Sequence, residues 1–214
     1  MRQPFKGCGI HMRYVEEFLG LKCVGDVLNV VNPVQNITKE ITESMAVIHI
    51  IRNTLILNPN KYRIFDFCAG NCLTSVLASF LYKAEVIAYD IRNRDRDWEK
   101  VRNFEFCQQD ITKLDYSFTR NDIIIGVHCD EFAWNIVDIF NKSEVGMIVI
   151  EPCCLGCMVD KDLLMPHAIF NRMSNYEQWC YYLYSNINSR YKHMKIDKWV
   201  RSPKNCLIWA VKGE

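Results

Sequence analysis

Between residues 62 and 151, short apolar runs and amphipathic stretches alternate along the chain, and few architectures tolerate that order. Residues 62–68, 85–90, 103–107, 122–128 and 145–151 read as strands. Leu73, Val76, Leu77, Phe80 and Leu81 fall on one helix face after the first strand. Phe132, Ile136, Ile139 and Phe140 do the same within 130–141, after the fourth. Alternating strands and helices predict a parallel sheet with helices on both faces. The nearly continuous apolar run at 122–128 suits a strand covered on both sides. Upstream, Ile37, Ile41, Met45, Ile48, Ile51 and Leu55 recur at three- and four-residue spacing and predict another helix. Downstream, 171–188 reads as an aromatic-rich helix. The runs 192–200 and 205–212, joined by Arg201-Ser202-Pro203-Lys204, read as a hairpin. The prediction is an α/β fold: a doubly wound, mostly parallel seven-stranded sheet closed by a C-terminal antiparallel hairpin. Residues 1–35, punctuated by Gly7, Gly9, Gly20, Gly25, Pro4 and Pro33, are expected to be irregular, an N-terminal extension or cap on a single domain of residues 36–214.

Composition removes several alternatives. The chain has 214 residues, half of them hydrophobic and 24% charged, which excludes a disordered or fibrous protein. A net charge of +1 excludes a strongly polybasic binder while leaving room for a local basic patch. No apolar run approaches the ~18 residues of a membrane span. Eleven cysteines, an odd number with no secretory signal before them, point to reduced thiols in a cytoplasmic compartment.

In a doubly wound sheet the ligand lies at the carboxyl ends of the strands. Here those ends carry Asp66 to Cys72, Asp90, Asp110, His128, and Glu151 to Cys154. A dinucleotide or nucleotide phosphate asks for a glycine-rich turn rich in free N–H groups. The turn Asp66-Phe67-Cys68-Ala69-Gly70-Asn71-Cys72 offers one glycine and a carboxylate instead, which counts against an NAD-dependent oxidoreductase. Carboxylates suit a ligand with an ammonium, a sulfonium and a neutral ribose, and S-adenosylmethionine combines the three. Asp90, twenty residues after Gly70, has the spacing at which a carboxylate accepts from ribose hydroxyls.

The segments "IFDFCAGNCLTSVLASFL", "EVIAYDIR", "FEFCQQDI" and "DIIIGVH" resemble the successive motifs of the class I, Rossmann-like S-adenosylmethionine-dependent methyltransferases. The resemblance covers roughly residues 45–212, and "YKHMKIDKWVRSPKNCLIWAVK" is similar to that family's last two strands. It implies that the methionine part lies along Asp66, Cys68, Ala69, Gly70 and Asn71. It also implies that Asp90 with Ile91 holds the ribose, and that Asp110 with Ile111 borders the adenine. His128-Cys129-Asp130-Glu131 and "IEPCCLG" are similar to a group that contains tRNA ribose 2′-O-methyltransferases, which makes RNA (tRNA) the expected acceptor. The sequence departs from the family at Cys68 and Cys72, where glycines are usual. A side chain at Cys72 is expected to crowd the backbone or the cofactor.

Methyl transfer from a sulfonium gains chiefly from alignment, and a base helps when the acceptor must lose a proton. His128, Asp130, Glu131 and Glu151 are the candidates to ring the methyl group, His128 also touching the cofactor. No metal is expected: catalysis by alignment needs none, and Cys153, Cys154 and Cys157, the candidate zinc ligands with His128 and Cys129, are poorly spaced for it. The same cysteines lack the companions of a covalent nucleophile and are expected to line the acceptor pocket. The run Arg92-Asn93-Arg94-Asp95-Arg96-Asp97 mixes signs and reads as a solvated loop, as does the basic hairpin around Lys192, Lys195, Lys198 and Lys204. The expected activity is therefore methyl transfer from S-adenosylmethionine. The rival reading is a degenerate methyltransferase fold acting as a non-catalytic partner. A small-molecule or protein acceptor ranks below RNA.

Overall fold

The computed structural model describes residues 13–54, 62–82, 84–113, 117–154 and 167–213. Seven strands, β1 (Arg63–Phe67), β2 (Glu85–Asp90), β3 (Phe104–Gln108), β4 (Asp122–Val127), β5 (Met147–Glu151), β6 (Tyr191–Ile196) and β7 (Cys206–Val211), form one sheet in the order β3-β2-β1-β4-β5-β7-β6. The first five are parallel. β7 runs antiparallel to β5, and β6 antiparallel to β7. The chain order reverses between β1 and β4, so the switch point lies over the ends of those two strands. Ile123, Ile124 and Ile125 of β4 are completely buried because both faces are covered.

One face carries α3 (Ile37–Thr54) and α4 (Leu73–Tyr82), and the other α5 (Ala133–Lys142) and α7 (Asn175–Asn186). Trp179 of α7 is fully buried and stacks on Tyr182, as core residues. The four residues of α6 (His167–Phe170) precede α7. Ser174 starts α7 with a capping box: its hydroxyl accepts from the Glu177 N–H, and the Glu177 carboxylate accepts from the Ser174 N–H at 2.8 Å. Ser174→Ala is expected to lower stability by ~1 kcal/mol, read as a shift in urea midpoint at unchanged slope.

The expectation of an irregular N-terminal stretch is corrected within the described residues. Residues Arg13–Leu19 form α1 and Val24–Val31 form α2. Phe18, Val27 and Val31 are fully buried in the core shared with α3 and α4. Each helix spans about two turns, too short to establish a period, and Gly20 ends the first by donating its N–H to Glu16. The hairpin strand at 192–200 is also shorter than expected. Asp197 accepts from the Trp199 N–H at 2.9 Å and from the Tyr14 hydroxyl at 2.8 Å, which turns the chain after Ile196. Among the described residues no helix is long and apolar enough to cross a membrane.

Candidate functional site

A cleft of about 660 Å³ opens over the switch point. Its floor is the β1–α4 turn, which takes left-handed backbone at Cys68 (φ +58°), Gly70 (+56°) and Cys72 (+62°). Such conformations cost a non-glycine residue ~1–3 kcal/mol, so the loop keeps a glycine-type path with cysteines on it. Two bonds hold that path: Ala69 donates its N–H to the Tyr89 carbonyl, and Gly70 donates its own to Asp90 Oδ2 at 2.8 Å. The crowding expected at Cys72 does not arise in the cleft, because its side chain is buried among Leu73, Val76 and their neighbours in the core.

Asp66, Cys68, Ala69, Gly70, Asn71 and His128 line the cleft. Asp66 is 2% exposed. The Ser75 hydroxyl donates to its Oδ2, and Oδ1 has no hydrogen-bond partner among the described residues. Burial, against the help of Ser75, pushes this carboxyl up to about 7. Burial and the nearby carboxylates of Asp90 and Asp66 likewise push the Cys68 thiol up to about 12.

The other expected residues lie outside the lining. Asp90 is buried directly behind the floor. It accepts from Gly70 through one oxygen and from the Arg92 N–H, at 2.9 Å, through the other. Ile91 is exposed and Ile111 is buried in the core of the opposite face. Asp110 turns onto Thr112, accepting from its N–H and hydroxyl, which holds its carboxyl below the usual range. Asp130, at φ +51°, receives the Cys153 thiol at 2.9 Å, and Cys153 Sγ stands 3.5 Å from Cys154 Sγ. Burial and the hydrogen bond to Asp130 raise the Cys153 thiol well above its ordinary value, which keeps it a poor nucleophile. Cys157 lies outside the described residues.

Sequence reasoning missed two walls of the cleft. One is α3, which brings Lys39 and Glu40 to the opening and buries Glu43 behind them. His128, held at φ +54° at the end of β4, places Nε2 2.5 Å from Glu43 Oε1. Lys39 Nζ is 2.9 Å from the same oxygen. Glu151, completely buried, lies against this group. Burial, and then the charge of Glu43, raise its carboxyl well above the usual range. The second wall is the run read as a solvated loop. Arg92, Arg94 and Arg96 all line the cleft, and Arg94 Nε is buried with no hydrogen-bond partner among the described residues. Alternate residues of an extended segment share one side, a signal present in the spacing but masked by Asn93 and Asp95 between the arginines and Asp97 after them.

The family described as "Methyltransferase domain" matches residues 37–160. The chain belongs to that family. No curated protein matches the sequence. Among solved structures, this methyltransferase domain is similar to coclaurine N-methyltransferase bound to N-methylheliamine and SAH, at 13% identity over 51% of this chain, with TM-score 0.39. The chain spans only 36% of that protein's length. It is also similar to an RNA methyltransferase from Salinibacter ruber in complex with S-adenosyl-L-homocysteine, at 12% identity over 79% of this chain and 92% of that one, TM-score 0.45. A third is the precorrin-6y C5,15-methyltransferase from Geobacter metallireducens, at 17% identity, 78% and 88% coverage and TM-score 0.45.

Proposed function

We propose that this methyltransferase domain binds S-adenosylmethionine in the switch-point cleft and transfers its methyl group to RNA, with a tRNA ribose hydroxyl as the acceptor. The observation that carries the cofactor assignment is Asp66: a buried carboxyl on the cleft wall with one oxygen left unpartnered, beside a loop whose backbone permits close approach. An ammonium group fits that oxygen. When bound, S-adenosylmethionine supplies the methyl group on a sulfonium. Asp90 keeps lone pairs for ribose hydroxyls beyond the bonds it already accepts, and Ile91 and Asp110 are assigned to the far end of the ligand, with Ile111 backing them from the core. His128, on the cleft lining, is assigned to the acceptor side, with the buried Glu151 beside it and the exposed Asp130 two residues on.

RNA as the acceptor is supported by Arg92, Arg94, Arg96 and Lys39, four cations on one cleft, since guanidinium forks suit phosphate oxygens. The nine described cysteines are free thiols, in keeping with a reducing, cytoplasmic setting. Incubation with methyl-labelled S-adenosylmethionine and separate RNA, protein and small-molecule pools tests the acceptor. Label in RNA, lost on nuclease digestion to 2′-O-methyl nucleosides, is expected. Label confined to another pool overturns the RNA reading. The rival reading, a non-catalytic partner, is favoured by Asp90, whose two oxygens are already engaged within the chain. Cofactor binding without label in any pool supports it.

The Asp66 carboxyl also fixes a pH dependence. Its folded value, about 7, lies above the 3.8 of a free aspartate. Its contribution to the stability of the ligand-free protein is therefore complete below about 4 and is lost as pH rises toward 7. A bound ammonium favours the ionised form. The rise in Tm that S-adenosylhomocysteine induces should then grow as pH increases through about 7, and Asp66→Asn should flatten that trend. A ligand-induced rise independent of pH in the unmodified protein would remove Asp66 from the ammonium site.

A further inference from the structure

Beside the cleft, three side chains from three elements converge: Glu43 of α3, His128 at the end of β4 and Glu151 at the end of β5. One ligand atom of each lies within 4.8 Å of the others. Bonds within the chain explain only part of the convergence: Glu43 Oε2 accepts from the Lys39 ammonium at 3.0 Å. Glu151 is completely buried, and neither of its oxygens has a hydrogen-bond partner among the described residues. Glu43, equally buried, has His128 Nε2 and Lys39 Nζ at ion-pair distance from Oε1, yet that oxygen makes no well-aligned hydrogen bond. Buried carboxylate oxygens without partners are costly, and such groups in folded proteins usually signal a missing proton, water or ion.

We propose that Glu43, His128 and Glu151 form a binding site for a divalent first-row metal cation. Two carboxylates and one imidazole on one side of an ion leave its remaining positions open, a donor set that suits Mn²⁺, Fe²⁺ or Zn²⁺. Ligands each ~2.1 Å from an ion stand ~3–4 Å apart, so the present spread closes with small side-chain movements. The donors come from the ends of two paired strands, at the register Val127↔Glu151, and from a long helix packed over them, so the site is held by rigid elements. His128 and Lys39 also line the cleft, which places the open positions toward it. On the reading of that cleft as the transfer site, the cation offers a coordination position to an acceptor oxygen and lowers that oxygen's pKa.

The expectation of a metal-free protein rests on catalysis by alignment and on the spacing of the cysteines, with His128 weighed as a ligand only in their company. It does not consider the two carboxylates. Lys39 is the internal competitor. Its ammonium sits 2.9 Å from Glu43 and 3.4 Å from His128, where it takes the place of the ion's charge. The side chain is 35% exposed and can withdraw to water, which leaves the three donors to the metal.

Titration with Mn²⁺, followed by loss of the free-ion electron paramagnetic resonance signal and by competition with Zn²⁺, needs neither cofactor nor acceptor. It therefore fails or succeeds independently of methyl transfer. The expected result is one equivalent bound. Glu151→Gln and Glu43→Gln, which keep the side-chain shape, should each weaken Mn²⁺ at least ~10-fold, loss of a direct ligand being no milder than loss of an outer partner. Lys39→Met should bind Mn²⁺ more tightly than the unmodified protein, an outcome that a purely structural cluster would not give. Cys153→Ser with Cys154→Ser removes the neighbouring thiols and should leave Mn²⁺ binding intact. Circular dichroism confirms that each variant is folded. Well under one equivalent of either metal in both the unmodified protein and Lys39→Met overturns the proposal. So does binding unchanged by Glu151→Gln and Glu43→Gln.

Discussion

Asp90→Ala is expected to weaken the binding of S-adenosylhomocysteine by ~10- to 150-fold, the equivalent of the ~1.5–3 kcal/mol of a hydrogen bond to a charged group. The carboxylate works in two directions. Inward, it accepts the N–H of Gly70 at 2.8 Å and that of Arg92 at 2.9 Å, and so holds the floor loop and starts the arginine segment. Outward, its remaining lone pairs are the acceptors proposed for the ribose. Alanine removes both functions and leaves the Gly70 N–H without its partner next to a turn with three left-handed residues. Asp90→Asn should recover only part of the loss, because an amide can accept from one of the two backbone donors and turns its own N–H groups on the other. Calorimetry at fixed pH gives the affinity, and a melting curve shows whether the loss is local. An affinity unchanged in Asp90→Ala would detach the cofactor from this end of β2.

The sheet was legible because parallel strands covered on both faces are written as short apolar runs, and no neighbouring segment imitates Ile123-Ile124-Ile125. The strand-end residues Asp66, Gly70 and His128 were legible for a related reason: topology alone sends them to one crevice. What stayed hidden depends on packing between distant segments. Helix α3 was recognised by Ile41, Met45, Ile48 and Ile51, but Thr42 and His49 at the flank of that stripe and Glu43 on the opposite side are buried as well. In sequence those residues have the composition of a solvent face. Only the docking of α3 over the end of β4, with Lys39 and Glu43 against His128, reveals that its polar side is an interior one. The arginines at 92, 94 and 96 were hidden by Asp95 and Asp97, which give the run a mixed charge. Burial of Arg94 Nε is a property of the folded cleft and not of the run. For α1 and α2, two turns each, the anchoring residues Phe18, Val27 and Val31 are too few to reveal a period before the core they fill is known.

At the opposite end of the sheet from the cleft, Gly146→Ala is expected to cost more than ~3 kcal/mol of stability, beyond the ordinary range for an overpacked site. A Cβ at this position would stand 2.0 Å from the Arg120 carbonyl oxygen and 2.9 Å from its carbon, and both are backbone atoms that no rotamer change can move. Neither chain is free to give way. Gly146 donates its N–H to the Asp122 carbonyl at 3.0 Å, and its own carbonyl accepts from the Lys212 N–H at 2.9 Å. The facing turn is fixed in its own right: the buried Asp122 carboxylate takes two hydrogen bonds from Arg63, at 2.8 and 2.7 Å, and a third from the Thr119 N–H. The clash must therefore push β5 off β4 at the point where their parallel register begins, Ile123 beside Met147. Because the displaced end carries none of the cleft residues, any Gly146→Ala protein that remains folded should bind S-adenosylhomocysteine with near-normal affinity while melting at much lower temperature. Asp90→Ala should show the reverse emphasis, a large loss of affinity with a smaller loss of Tm from the freed Gly70 and Arg92 N–H groups. Gly146→Ala with unchanged Tm would show that the Arg120 turn can be displaced cheaply, and with it the view that this glycine is required by close approach of two backbones.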